Sequence, residues 1–260
     1  MDLGIAGRRA LVCASSRGLG RACVEALAAE GVDVTINGRD ADRLAETAEA
    51  LRRAHPAVTI EAVAGDITTA EGRAALLGAC PQPDILVNNN AGPTPAPFLD
   101  TTEEAWAEAL EANMLAALML IRAVLPAMIE RRFGRIVNIT SAMVTTPRGH
   151  LGVSAGPRAG LTAVCKGIAR DVAKYDVTLN NLLPERFDTD RQRYMAERDM
   201  QRSGISMEEA RERIAQTIAA GRMGRPEEFG ATCAFVCSAH AGYMSGMNVH
   251  LDGGSYPGLI

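Results

Sequence analysis

The feature that most constrains the fold is a regular alternation of short apolar runs with helical patterns along all 260 residues. The runs have the length and character of buried parallel strands, and the segments between them repeat apolar residues at helical spacing. Strands joined through helices imply right-handed crossovers and a parallel sheet covered on both faces. The sequence therefore predicts an α/β fold with a doubly wound parallel sheet of the Rossmann type, forming a single domain over residues 1–260.

The individual elements can be assigned along the chain, with no internal repeat or linker between them. The predicted strands lie at 10–13, 32–37, 59–64, 85–87, 135–140, 177–183 and 248–251. The predicted helices lie at 21–30, 41–55, 70–79, 103–132, 154–174, 206–220 and 226–238. Pro126 is expected to kink the fourth helix late in its course, because its ring clashes with the preceding turn.

Composition and charge exclude several classes of protein. The net charge of −4 argues against a nucleic-acid binder. We expect no helix that spans a bilayer, because no apolar run looks long enough. The first residues lack a basic-then-apolar signal segment, which predicts a cytoplasmic location. The six cysteines and four histidines show no metal-ligand spacing, so we predict reduced core cysteines and no metal site.

A glycine-containing turn follows the first predicted strand and opens the first helix. It comprises Ser16, Arg17, Gly18, Leu19 and Gly20. A strand, a glycine turn and a helix start place backbone N–H groups and a helix N-terminus where a pyrophosphate can bind. The first glycine allows close approach of the backbone to a ligand, and the second lets the helix pack on the strand. By itself such a turn is weak evidence for binding.

Further motifs follow this turn in a fixed order and spacing. They are Gly65 with Asp66, residues 89–92, Asn113, residues 136–141, 158–161, 181–189, 224–228 and 252–254. Each is weak alone, but together they are specific. With them, the chain resembles a short-chain dehydrogenase/reductase of the β-ketoacyl-carrier-protein reductase type over essentially its whole length.

The resemblance implies a nicotinamide cofactor. An acidic side chain at the end of the second strand would bind the adenosine ribose and repel a 2′-phosphate. This chain has Asn37 there, and Arg39 and Arg17 can bind a phosphate, so NADP(H) is predicted over NAD(H), although Asp40 lies next door. The implied cofactor-binding residues are Ala14, Ser16, Arg17, Gly18, Leu19, Gly20, Asn37, Arg39, Asp66, Ile67, Asn90, Ala91, Gly92, Pro184, Phe187 and Thr189.

The catalytic residues depart from the family pattern. In the family, a tyrosine with a lysine one helical turn later moves the proton that accompanies hydride transfer, a serine polarises the carbonyl and an asparagine holds a water relay. Ser141 and Asn113 match the serine and the asparagine. The family spacing places Ser154 where the tyrosine is expected and Arg158 where the lysine is expected. The resemblance thus predicts an NADP(H)-dependent oxidoreductase that reduces a carbonyl with an atypical active site.

Three interpretations of this site stay open. In the first, another group donates the proton: His150, or with less support Tyr194 or Glu185. In the second, water or the substrate supplies it while the two serines and Arg158 form an oxyanion site. In the third, redox catalysis is lost and the chain is a cofactor- or ligand-binding pseudoenzyme. Ser154 is most simply a helix N-cap.

The segment 187–222 carries many charges and is predicted to cover a small-molecule substrate as a lid. A helix within it is expected to start at Ser206, with Glu209 completing a capping-box pattern. The charges suggest a polar or anionic substrate, although an ordinary solvated helix surface is the simpler explanation of them. By resemblance, the apolar stretch 235–260 forms contacts in a homotetramer, with a dimer as the alternative.

Overall fold

The protein is built on one parallel sheet of seven strands, seen in a computed structural model that describes residues 1–259. The strands are β1 (Arg9–Val12), β2 (Asp33–Gly38), β3 (Ile60–Ala64), β4 (Ile85–Asn88), β5 (Gly134–Ile139), β6 (Val177–Pro184) and β7 (Asn248–Leu251). Their order is β3-β2-β1-β4-β5-β6-β7, so the direction of winding reverses between β1 and β4. Ligands bind beyond the carboxyl ends of the strands at such a reversal. The predicted fold is confirmed.

Helices cover the sheet on both faces. Within residues 1–259 they are α1 (Gly18–Ala29), α2 (Ala41–Ala54), α3 (Ala70–Ala79), α4 (Glu103–Leu110), α5 (Ala116–Glu130), α6 (Gly152–Val172), α7 (Asp190–Ser203), α8 (Met207–Gln216) and α9 (Pro226–Cys237). The predicted boundaries of α3 and β7 agree with the structure, and most others differ by one to three residues.

Helix α7 was not predicted from the sequence. It is strongly polar, and Ala196 is its one buried residue. With so narrow an apolar stripe, the helical period cannot be recognised in the sequence.

The start of α8 was predicted correctly, since the Ser206 hydroxyl accepts a hydrogen bond from Glu209 N at 3.1 Å. The helix ends at Gln216, four residues before the predicted end.

The helix predicted at 103–132 is interrupted. A π-helical turn, Glu111–Leu115, separates α4 from α5. Pro126 lies inside α5, which continues as far as Glu130. A π-helical turn inserts one extra residue into the helix, and such turns occur often at functional sites.

The stretch that contains this turn also bears on membrane insertion. By length and composition, Glu103–Glu130 is long and apolar enough to cross a membrane, with a mean hydropathy of 1.9 in its most apolar window. The expectation that no such helix exists is therefore wrong by this measure. The same stretch supplies Leu120 and Val124 to the core, and core helices of globular proteins also pass this test.

Successive residues of the strands fill two separate cores. In β1, Ala10 and Val12 face one core while Leu11 faces the other, as the alternation of side chains along a strand requires.

The six cysteines are free and buried, and burial raises the pKa of the Cys13 thiol to about 12. Among residues 1–259, no three histidine, cysteine or acidic side chains lie together as metal ligands would.

A ladder of asparagines links four strands near the carboxyl edge of the sheet. Asn88 donates to Asn138, Asn138 donates to Asn181, and Asn181 donates to Asn248, each through a 2.9 Å side-chain hydrogen bond. The four residues are direct partners in the strand register. The buried Asn138 and Asn181 each accept one of these bonds and donate another, which fixes the register, because a slip by one residue would break both bonds. The ladder holds in place the strand ends from which the site is built.

Candidate active site

One cavity of about 890 Å³ lies over the carboxyl ends of the central strands. The turn after β1, the ends of β2 to β6 and the first turns of α6 and α7 form its wall. Of the site residues predicted from the sequence, only Gly20 and Asn113 are not on this wall. The structure therefore brings together the predicted cofactor and catalytic positions in a single space.

Backbone groups form the end of the cavity nearest β1. Helix α1 begins at Gly18 without a side-chain cap on its first N–H groups, which leaves them available to an anion. A Cβ on Gly20 would lie 2.5 Å from the carbonyl oxygen of Ala14, so only glycine fits there. Ala14 itself has a φ of 44°, which is unusual for a residue with a side chain. Its carbonyl accepts a hydrogen bond from Asn89 Nδ2 at 3.1 Å.

The side chains at the end of β2 already have partners. Asn37 is buried, and its Nδ2 donates to the carbonyls of Val63 and Gly65 at 3.1 Å each. Asn37 thus presents no carboxylate to the cavity and ties β2 to β3. The Asp40 carboxylate accepts a hydrogen bond from Arg43 N at 3.1 Å and caps α2.

Arg39 is the least constrained charge in this region. Its side chain is 70% exposed and lies 3.7 Å from Asp66. Partial burial opposes ionisation of Asp66, but hydrogen bonds from Thr68 and the charge of Arg39 outweigh it and hold the pKa of this carboxyl below its usual value. A flexible guanidinium with only this weak contact is free to turn toward a phosphate.

Ser154 and Arg158 form a pair one turn apart on α6. Arg158 Nη1 donates to Ser154 Oγ at 2.6 Å and to the Ser154 carbonyl at 3.2 Å. The interpretation of Ser154 as an N-cap is wrong, because α6 begins two residues earlier, at Gly152. Because its oxygen accepts from the guanidinium, the Ser154 hydroxyl is polarised and can donate its own proton to a ligand.

Arg158 is an unusually buried cation, with 8% of its surface exposed. Burial, followed by the nearby charge of Arg191, lowers the pKa of Arg158 to about 10. The guanidinium is therefore still protonated at neutral pH. It can stabilise negative charge but cannot shuttle a proton there.

Ser141 and His150 also line the cavity. Ser141 follows β5, and its oxygen accepts a hydrogen bond from Met143 N at 3.2 Å, which leaves its proton for a ligand. His150 is exposed on the loop before α6. The carbonyl of His150 accepts a hydrogen bond from Ala96 N at 3.0 Å, so the loop is anchored while the imidazole stays accessible.

Asn113 is not brought to the wall. It lies buried in the π-helical turn, where its Nδ2 donates to the Ala109 carbonyl at 3.3 Å. The neighbouring Ala112 carbonyl accepts from Asn90 Nδ2 at 3.1 Å. The turn therefore contacts the wall through Asn90, and a role for Asn113 itself stays a prediction.

Sequence reasoning missed most of the charged residues at the far end of the cavity. Arg148, Arg186 and Arg191 line it there. The Glu185 carboxylate, whose side chain is 8% exposed, lies 3.1 Å from Arg148 and 3.9 Å from Arg186. The arginines sit on a loop and on the unpredicted helix α7, so only the folded chain shows that they share a space.

The charged segment after β6 extends from this end of the cavity to the glycine turn. Thr189 directly precedes α7 and lies close to Gly18. A Cβ placed on Gly18 would be 3.9 Å from the Thr189 methyl group. Arg17 lies 3.6 Å from Asp190, and Arg211 forms a bidentate ion pair with Asp188. These contacts tie the segment to the glycine turn and to α8.

Comparison with known proteins agrees with this architecture. The family model described as enoyl-(acyl carrier protein) reductase matches residues 13–256. The NADPH-dependent reductase BacG of Bacillus subtilis is 30% identical over 95% of this chain and 97% of its own length. The 3-oxoacyl-[acyl-carrier-protein] reductase FabG of Escherichia coli is 34% identical over 96% of this chain and 98% of its own length.

Solved structures give the same picture. L-sorbose reductase from Gluconobacter frateurii, complexed with NADPH and L-sorbose, superposes over the full length of both chains with a TM-score of 0.94 and 29% identity. NADPH, the cofactor named for BacG and for the sorbose reductase, is the one predicted from the sequence. The match of fold, motifs and family model shows that the chain belongs to the short-chain dehydrogenase/reductase family.

Proposed function

We propose that this protein is an NADP(H)-dependent reductase of a carbonyl or related group, with an atypical proton-handling site. The observation that carries the proposal is the hydrogen-bonded Ser154–Arg158 pair, which shares one cavity with Ser141 and the glycine turn. This arrangement combines a cradle for a dinucleotide with hydroxyl donors for a developing oxyanion. The names of the relatives support the reaction class.

The residues at the β1 end fit such a cofactor. The uncapped start of α1 would receive the pyrophosphate, with Gly18 allowing close approach. Arg39 and Arg17 would bind the 2′-phosphate. Asn37 is uncharged, so it does not repel the phosphate as an acidic residue at this position would. Asp66 and Ile67 would lie against the adenine, and residues 90–92, 184, 187 and 189 against the nicotinamide half.

The chain's own groups would stabilise the reduced oxygen. When bound, NADPH would supply a hydride to the carbonyl carbon. Ser141 and Ser154 would donate hydrogen bonds to the carbonyl oxygen, and the Arg158 charge behind Ser154 would stabilise the growing negative charge. Because arginine holds its proton, the proton would come from His150 or, with less support, from Tyr194 or Glu185, or else from water or the substrate.

The non-redox alternative rests on what this pair lacks, which is a group that can relay a proton. Ser154 is a far weaker acid than the phenol that the family uses, and Arg158 cannot relay a proton. A chain that kept the cavity without this relay would bind a dinucleotide or another ligand without turnover. Hydride transfer in single-turnover experiments separates the two functions.

Lid, assembly and location belong to the same proposal. Residues 187–222 would close over the substrate, because α7 contributes Arg191 and Tyr194 to the wall. Tyr243 and Met247 are exposed apolar side chains near the C-terminus, which supports burial in a tetramer or dimer. We place the enzyme in the cytoplasm, acting on a small molecule.

The first test is calorimetric titration of the purified protein with NADPH and, separately, with NADH. We expect micromolar affinity for NADPH and much weaker binding of NADH. Binding of neither nucleotide by the folded protein would overturn the proposed reductase. Equal affinities would show that the β2 end does not select the 2′-phosphate.

A further inference from the structure

Two arginines at the far end of the cavity have no acidic partner. Arg158 and Arg191 both line the wall. Among residues 1–259, no acidic oxygen lies within 4.0 Å of either guanidinium. The other two arginines there, Arg148 and Arg186, share the carboxylate of Glu185. The far end of the cavity therefore carries an excess of positive charge.

Both unpaired guanidiniums flank the same backbone segment. Arg158 Nη2 would lie 3.3 Å from a Cβ on Gly92, and Arg191 Nη2 donates to the Pro93 carbonyl at 3.4 Å. Gly92 lines the cavity, so the remaining donors of both side chains are near the space in front of it. The hydrogen bonds from Arg158 to protein atoms within the described residues all come from Nη1, which leaves Nε and Nη2 for a ligand.

A buried cation without a counterion is costly, and the cost increases when a second cation lies nearby. An anion between the two side chains would remove this cost. The guanidinium fork matches a planar carboxylate with two parallel hydrogen bonds. Apolar side chains share this end of the wall, namely Met143, Leu151 and Met195, and they suit a hydrocarbon skeleton.

We propose that the substrate is an oxo acid whose carboxylate binds between Arg158 and Arg191, on the Pro93 side of Gly92 and beside the nicotinamide half of the cofactor. The inference rests on the proposed function, because it names the substrate class of the same cavity. Ser141 and Ser154 would then bind the carbonyl oxygen while the two arginines fix the acid group. Arg191, on α7, would also couple substrate binding to closure of the segment above it.

The test compares oxo acids with their own methyl esters, which keep the carbonyl and remove the charge. A series of 2-oxo and 3-oxo acids with four to eight carbons is assayed with NADPH beside the matched esters. We expect kcat/KM for the preferred acid to exceed that of its ester by about 10- to 100-fold, as for a charge-assisted contact. Arg191→Gln should remove this difference, mainly through KM, and Arg191→Lys should restore part of it.

Arg193→Gln is the matched control. Arg193 lies on the same helix and is exposed, as Arg191 is, but it is not on the cavity wall. Its loss changes the net charge by the same amount and should keep the preference for the acid. Thermal unfolding of each variant shows whether it has folded.

The outcomes separate the two proposals. Equal rates for acid and ester would overturn the oxo-acid inference and leave the reductase intact. The same conclusion would follow if a phosphorylated carbonyl compound bound the site more tightly than every acid in the series. If no compound is reduced, calorimetry with the same acids and esters decides. An Arg191-dependent preference for the acid would then support the anion site without any turnover. Its absence would overturn the oxo-acid inference, and the NADPH titration decides the reductase separately.

Discussion

The two ends of the cavity are built in different ways. At the β1 end, the backbone of the glycine turn forms the surface, and nearby side chains such as Asn37 and Asp40 are occupied by protein groups. At the far end, charged side chains from two helices and from loops form the surface, and Arg158 and Arg191 have no acidic partner in the described residues. The first end is shaped before a ligand arrives, whereas the second is electrostatically incomplete without one.

The largest expected effect is at the backbone-built end. Gly20→Ala would place a Cβ 2.5 Å from the Ala14 carbonyl and 2.9 Å from Asn89 Nδ2, so the turn must move. We expect NADPH affinity, measured by calorimetry, to fall by about 100-fold or more, since an overpacked backbone contact costs several kcal/mol. Gly167→Ala is the control, because nothing lies within 4 Å of its Cβ on α6. Unchanged NADPH affinity in Gly20→Ala would show that the turn is not the cradle.

The next effect is at the reacting oxygen. Ser141→Ala should slow hydride transfer in single-turnover experiments by about 100- to 1,000-fold, the usual loss for one oxyanion donor. NADPH affinity should stay the same, since Ser141 would act on the substrate. Ser203→Ala, at the exposed end of α7, provides the comparison. A full rate in Ser141→Ala would refute the assigned role.

The charge behind Ser154 gives a prediction about pH. In Arg158→Lys, the same burial and the same neighbouring Arg191 disfavour the protonated form, so the lysine pKa should also lie below its ordinary value. The supporting charge is present at low pH and is lost as the pH rises through that lowered pKa. The variant's pH–rate profile should therefore fall at a lower pH than that of the wild type, whose Arg158 has a pKa of about 10. Coincident profiles would exclude Arg158 from charge stabilisation.

A smaller effect is expected at the cofactor phosphate. Arg39→Ala should lower the ratio of NADPH to NADH affinity by about 10-fold, as the loss of one exposed charge-assisted bond implies. Arg53→Ala, at the exposed end of α2, should leave the ratio unchanged. If Arg39→Ala also leaves it unchanged, another group selects the phosphate, and Arg43, also on the wall, is then the next candidate.

The contrast between the two ends also explains what the sequence could predict. The glycine turn with Gly18 and Gly20 and the alternation of strands with helices follow from local patterns, because a glycine turn between a strand and a helix has few possible geometries. The arginine site does not, since Arg158 and Arg191 meet only after α7 folds over the cavity. Helix α7 has one buried residue and no recognisable apolar stripe. The role of Glu185 as a partner of two arginines likewise depends on tertiary contacts that no local pattern encodes.

The smallest effect tests whether the backbone-built end is optimal. Ala14 has a φ of 44°, a conformation that costs a residue with a Cβ about 1–2 kcal/mol, although glycine loses more entropy on folding. Ala14→Gly should therefore raise the free energy of unfolding in urea by up to about 1 kcal/mol. NADPH affinity should rise by no more than a few-fold, because the Ala14 carbonyl that Asn89 binds is kept. A loss of stability would mean that the Ala14 methyl makes a favourable contact, so that this end too depends on its side chains.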